Sequence, residues 1–187
     1  YILRNIEVDE LQTHKKSFIW GSILPDCRPS FITTKHTIDE TFPILRKEIS
    51  KVVEFDIEDG MTSSYCRHLG VITHYIADYF TFPHNSIFKG TLKEHCSYEE
   101  ELKNTFRDYV KSDEAKRDRA LTTTFKTVDE ICDFIKRMHK RYLLAAAGTV
   151  RADCHYIVEL CFRVIDAIIQ IFEFKSKSVR ETYAVVA

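Results

Sequence analysis

The sequence predicts an all-α protein, and three observations carry that prediction. Only five glycines and four prolines occur among 187 residues, too few for the many turns of an all-β fold. Apolar residues recur at helical spacing, and strand-like alternation is missing. Helix-start signatures, a Thr followed three residues later by a Glu, stand before the periodic stretches that open at Thr37 and Thr127.

Residues 1–35 read as one short helical piece and a loop, because Pro25 and Pro29 in SILPDCRPSF interrupt any regular element. From Thr37, TIDETFPILRKEISKVVEF opens with a capping box between Thr37 and Glu40 and continues at helical period. Gly60 marks a turn and Ser63 or Ser64 offers the next cap. The helix that follows is predicted to run to about Phe82, where Pro83 ends it. A loop around Gly90 precedes a helix over residues 94–111, and the polar stretch 113–126 reads as a connection. Thr127 and Glu130 in TVDE then open a helix that stops between Ala145 and Gly148. In the last segment, TVRADCHYIVELCFRVIDAIIQIFEF, His155, Glu159, Arg163 and Asp166 step by four, four and three along one narrow polar stripe. The rest of that helix is apolar and belongs in the core, while charge at every turn rules out a membrane span. The expectation is a single multi-helix domain over residues 1–187 with five or six helices, residues 176–187 forming a tail.

Net charge is −1 at pH 7 with the signs interleaved, which gives no polyanion-binding surface. A phosphate held through a metal is not excluded by bulk charge. Six cysteines (Cys27, Cys66, Cys96, Cys132, Cys154, Cys161) form no CxxC pair and no small-domain framework, so free packed thiols suggest a reducing, cytoplasmic setting. No signal-peptide pattern is present, but the chain opens at Tyr1 rather than a start Met, which leaves export open.

The stretch GVITHYIADYFTFPHN places His74, Asp78 and His84 in an otherwise apolar helix, where burying them is costly. His74 and Asp78 are four apart and project from one face, a geometry that suits two ligands of one ion. His95 and Glu99 in EHCSYEEEL repeat that spacing, with Glu100 the rival carboxylate. His84 follows Pro83 at a fixed turn, Asp26 lies in the Pro-rich loop, and His36 precedes the Thr37 cap. Four histidines and three carboxylates without thiolates point to catalytic rather than structural zinc. Seven donors exceed what one tetrahedral ion accepts, which implies two ions or more.

These residues resemble the zinc-dependent phospholipase C family, which is related to zinc-dependent single-strand nucleases. The family pattern is a Pro-Asp loop, a His, a helix carrying G-x-x-x-H-Y-x-x-D that ends in Pro-His, and then H-x-x-x-E. Here it falls on Asp26, His36, Gly70, His74, Tyr75, Asp78, Pro83, His84, His95 and Glu99, over residues 18–100. The resemblance implies an all-helical fold with one zinc on Asp26, His36, His74 and Asp78, and a second on His84, His95 and Glu99. It also implies phosphodiester hydrolysis, with zinc activating a water and Asp26 serving as general base while ligating. The family holds a third zinc with Asp78, a free N-terminal residue and an early His, and this chain departs from the pattern there, which puts that third site in doubt. The chain begins with Tyr1 where exported members begin with Trp, and His14 is the only early candidate.

Each donor also has a plain structural reading. His74 with Asp78 makes a buried hydrogen-bonded pair, Asp26 a turn-former, His36 the residue before a cap, and Ser97 with Glu100 a capping box beside His95. His68 is ordinary, His139 lies in the solvated basic stretch KRMHKRY, and His155 belongs to the packing stripe. Trp20 and the Phe residues read as core, with Tyr75 and Tyr79 at a cleft mouth. The leading function is a zinc-dependent phosphodiester hydrolase of the phospholipase C type, acting on phospholipid. Two alternatives stand beside it: a single-strand nuclease, for which Lys89, Lys93 and Arg28 are a thin basic set, and a non-catalytic interaction domain stapled by zinc. Oligomeric state and substrate headgroup are not legible.

Overall fold

A computed structural model describes residues 1–27, 35–56, 60–145 and 148–186 of the chain. Among these residues there are eight α-helices and no strand, so the protein is all-α. In chain order they are α1 (Asp9–Thr13), α2 (Lys15–Ile23), α3 (Ile38–Val53), α4 (Ser63–Tyr79), α5 (Leu92–Tyr109), α6 (Asp113–Arg119), α7 (Val128–Ala145) and α8 (Val150–Val186). Short 3₁₀ turns cover Ile2–Arg4 and Phe82–His84.

Capping explains where the elements depart from the sequence reading. α4 starts on Thr62, whose hydroxyl accepts from Tyr65 N at 3.2 Å, rather than on Ser63 or Ser64. Thr37 is the N-cap of α3 without a side-chain bond, and the Glu40 carboxylate takes Lys35 N at 2.9 Å instead of reaching back to Thr37, so the box does not form. The reciprocal box forms at Thr91 and Glu94, which starts α5 two residues earlier than expected. In the polar connection, Ser112 accepts from Ala115 N at 3.2 Å and nucleates α6. α4 ends at Tyr79, short of Pro83, because Asn85 Nδ2 donates to the Tyr79 and Thr81 carbonyls at 3.2 and 2.9 Å. α8 continues through residues 176–186, the stretch read as a tail.

α4 is the central helix, packed against α2, α3 and α8. Its residues Tyr65, Cys66, Leu69, Ile72, Ile76 and Tyr79 are fully buried. Tyr75 and Tyr79 therefore belong to the core rather than to a cleft mouth, whereas Trp20, expected in the core, is 49% exposed on the outer face of α2. α2 and α4 meet backbone to backbone. A Cβ on Gly70 would stand 2.1 Å from the Phe18 carbonyl oxygen, and one on Gly21 would stand 2.0 Å from that of Arg67.

Tyr65 carries the one buried polar side-chain atom without a hydrogen-bond partner among the described residues, its hydroxyl. An unpartnered buried hydroxyl costs about 1–3 kcal/mol. Tyr65→Phe is therefore expected to raise Tm by about 2–4 °C for each kcal/mol recovered, checked by calorimetry; a lower Tm would show that the hydroxyl is satisfied in solution.

Candidate metal centre

Three segments converge on a first group of donors. The loop after α2 brings Asp26, the residue before the α3 cap is His36, and successive turns of α4 bring His74 and Asp78. Asp78 Oδ2 lies 3.0 Å from both His36 Nδ1 and His74 Nε2, and those two nitrogens are 3.1 Å apart. Asp26 Oδ1 stands 3.5 Å from each nitrogen. Donors at about 2.0–2.1 Å from a tetrahedral zinc stand roughly 3.3–3.4 Å from one another. That fits Asp26, His36 and His74, whose ligand atoms all lie within 4.8 Å of one another; Asp78 stands outside that set while reaching both histidines. Hydrogen bonding alone fits less well, since both nitrogens would need to aim protons at one oxygen while nearly touching each other. The backbone prepares His74 for the role: its Nδ1 donates to the Ser22 carbonyl at 3.0 Å, leaving the Nε2 lone pair to face the cluster. The Gly21–Gly70 crossing is what lets that carbonyl approach.

A second group sits beside it. Glu99 Oε1 lies 3.0 Å from His84 Nε2 and 3.0 Å from His95 Nε2, and the two imidazoles stand 5.0 Å apart between ring centroids. His84 ends the Phe82–His84 turn, while His95 and Glu99 occupy one face of α5. Six of the seven donors (Asp26, His36, Asp78, His84, His95, Glu99) line one cleft of about 930 Å³, and His74 lies buried behind it. Asp78, His84 and Glu99 also back an adjoining pocket of about 600 Å³, lined by apolar residues such as Ile2, Leu102, Phe106 and Phe162. Tyr1 lines that pocket too, whereas His14, the early-His candidate, joins neither donor group. Glu100 also stays outside both groups. Lys89 lines the cleft, and Arg28 falls outside the described residues.

A model of the zinc-dependent phospholipase C family matches residues 2–149. The chain belongs to that family. No curated protein and no solved structure matches it significantly. All seven donors fall inside the span that defines this phospholipase C family member, and α8 falls outside it. No helix of the described residues is long and apolar enough to cross a membrane. All six cysteines are unpaired, Cys27 and Cys96 exposed and the other four buried.

Two side chains that support the site escaped the sequence reading. His139 is buried rather than solvated, and its Nε2 pairs with Asn85 Oδ1 at 2.7 Å, bracing the residue after His84. Asp153 on α8 is fully buried and accepts from Phe82 N, within the turn that carries His84. A carboxylate inside an apolar helix but off its polar stripe was the available signal. The stripe itself packs as expected, with His155 against Asp118 at 2.9 Å and Arg163 on Thr123 Oγ1 at 2.8 Å.

Charge pairing outweighs burial in both donor groups. Burial lowers the His74 pKa, but hydrogen bonding and charge from Asp78, with the charge of Asp26, hold it above the ordinary value. Burial likewise opposes ionisation of Asp78, yet His36 and His74 hold its carboxyl well below the usual range. His84 is raised by Glu99 and Asp78 against its burial, and Glu99 is lowered, chiefly by the His84 hydrogen bond. Raised histidines stabilise the metal-free fold below their unfolded pKa of about 6.5 and lose that contribution as pH rises through the folded values. Lowered carboxylates stabilise above about pH 4 and lose that contribution on acidification through theirs. The chelated protein is therefore expected to melt at lower temperature at about pH 8 than at about pH 6. Zinc needs neutral imidazoles, so the loaded protein is expected to show the opposite slope; melts at both pH values with and without chelator test both signs.

Proposed function

We propose that this chain is a zinc-dependent phosphodiester hydrolase acting on phospholipid, with Asp26, His36, His74 and Asp78 holding one ion and His84, His95 and Glu99 a second. The observation that carries the reading is the convergence of six of these side chains on one cleft, with the seventh directly behind. Bound zinc supplies a Lewis acid for phosphoryl charge and a water whose pKa falls from about 15.7 toward about 7. The chain's own residues do the rest. Asp26 is the most accessible of the first group, its side chain 52% exposed against 16% for Asp78, and it takes a proton from water approaching phosphorus. His74, held by the Ser22 carbonyl, keeps one tautomer and one ring orientation. Lys89 at the cleft wall adds positive charge for the phosphate, although its Nζ also donates to the Ser86 carbonyl at 2.7 Å.

The adjoining pocket is mostly apolar, which suits acyl chains, but Tyr1, Phe18, Phe106 and Phe162 with Lys103 and Arg107 also line it, the rings and cations a single strand would use, so the substrate assay separates the two. Metal analysis with hydrolysis of a choline phospholipid and of single-stranded DNA tests the reading. Two zinc ions per chain with phospholipid turnover is the expected result. Zinc without turnover of either substrate would reduce the protein to a zinc-stapled helical domain, and turnover of DNA alone would move it to the nucleases.

A further inference from the structure

We infer that Asp153 is a positioning residue that clamps the turn carrying His84 to the helix carrying Glu99, an inference that rests on reading His84, His95 and Glu99 as a zinc site. Asp153 Oδ2 accepts from Phe82 N at 2.8 Å and from the Tyr98 hydroxyl at 2.9 Å. Its Oδ1 accepts from the Tyr142 hydroxyl at 2.6 Å. Phe82 opens the 3₁₀ turn that ends in His84, and Tyr98 immediately precedes Glu99 on α5. One oxygen atom therefore ties together the two elements whose side chains meet 3.0 Å apart at His84 Nε2 and Glu99 Oε1. The Phe82 and Tyr98 rings reinforce the tie, their centroids 5.7 Å apart.

Packing does not explain this carboxylate. Asp153 is fully buried, its three donors are neutral, and a buried anion held only by neutral donors is an expensive way to fill space. What the carboxylate adds is direction: it accepts from two separate elements at once, which no apolar side chain can do. His84 is held from its other side as well, because Asn85 is fixed by His139. Outer groups that orient metal ligands in this way typically contribute about 10–100-fold in metal affinity. Asp153 lies beyond residue 149, outside the span that matches the family.

The test is zinc affinity of the full chain, measured by competition with a chromogenic chelator, together with the visible absorption of the cobalt(II)-loaded protein. Asp153→Leu, which removes the acceptor at similar volume, and Tyr98→Phe are each expected to weaken one ion by about 10–100-fold, to leave the other ion unchanged, and to alter the cobalt bands. Tyr142→Phe removes the bond on Oδ1, which leads to α7 and to neither ligand-bearing element, and is expected to leave both affinities unchanged. Tyr98→Phe deletes a single oxygen atom and gives the same reading if Asp153→Leu does not fold. Unchanged affinities in Tyr98→Phe and Asp153→Leu, or an equal loss in Tyr142→Phe, would overturn the clamp. His95→Ala separates it from the reading beneath. Loss of one ion in His95→Ala with none in the Asp153 and Tyr98 variants rejects the clamp alone, whereas full zinc retention in His95→Ala rejects the triad itself.

Discussion

Asp26→Asn is expected to keep zinc bound and to lower kcat by about 10²–10⁴-fold, the usual contribution of a positioned general base. The reasoning is geometric. Asp26 stands 3.5 Å from His36 Nδ1 and from His74 Nε2, farther than Asp78 at 3.0 Å, and it is the more exposed of the two carboxylates. An amide oxygen can still occupy its ligand position, and His36, His74 and Asp78 remain to hold the ion. The amide cannot accept a proton near neutral pH, so the rate should fall much further than the metal content. Asp78→Ala is the contrasting case, because it removes the oxygen that both histidines face and is expected to release the metal as well. Zinc stoichiometry and kcat measured on the same preparations decide the matter; parallel loss in Asp26→Asn would leave Asp26 only a ligand.

The second large effect is expected from Gly70→Ala. Alanine is favoured over glycine within a helix by about 1 kcal/mol, so a simple propensity argument predicts a gain. The crossing of α2 and α4 reverses the sign. The added methyl would lie 2.1 Å from the Phe18 carbonyl oxygen and 2.8 Å from Ser22 N, both backbone atoms that cannot rotate away. Overpacking of this kind costs about 1–3 kcal/mol and sometimes more, and here α2 as a whole must retreat. A Tm lowered by about 2–4 °C per kcal/mol is expected. Zinc affinity should fall with it, because the Ser22 carbonyl that orients His74 moves with α2. An unchanged Tm would show that the two helices can part at no cost.

Five of the seven candidate donors could be picked out in the sequence because each reports a local constraint. His74 with Asp78 and His95 with Glu99 are a helical turn apart, and His84 follows a proline, so spacing alone puts each on a defined face or corner. Trp20 was misread because a helix with apolar residues on both sides looks buried in the sequence, yet α2 covers only one side, with Phe18 and Gly21 inward and Ile19, Trp20 and Ile23 half-exposed. His139 was misread in the opposite direction. Its charged neighbours point outward while the imidazole turns inward to Asn85, and that orientation depends on a partner 54 residues away. The Thr37 box failed for a similar reason: Glu40 found Lys35 N, a donor supplied by the path of the preceding loop. Caps and partners decided at a distance do not show in a local window, whereas periodicity does.

α8 begins one residue past the span shared with the family, yet Leu160, Val164, Ile165 and Ile168 are fully buried in the core. A boundary drawn by similarity is therefore not a boundary drawn by packing. A shortened chain cut at residue 149 would keep every candidate donor but lose the longest helix and uncover the faces it packs against, and it should emerge as an aggregating, misfolded fragment.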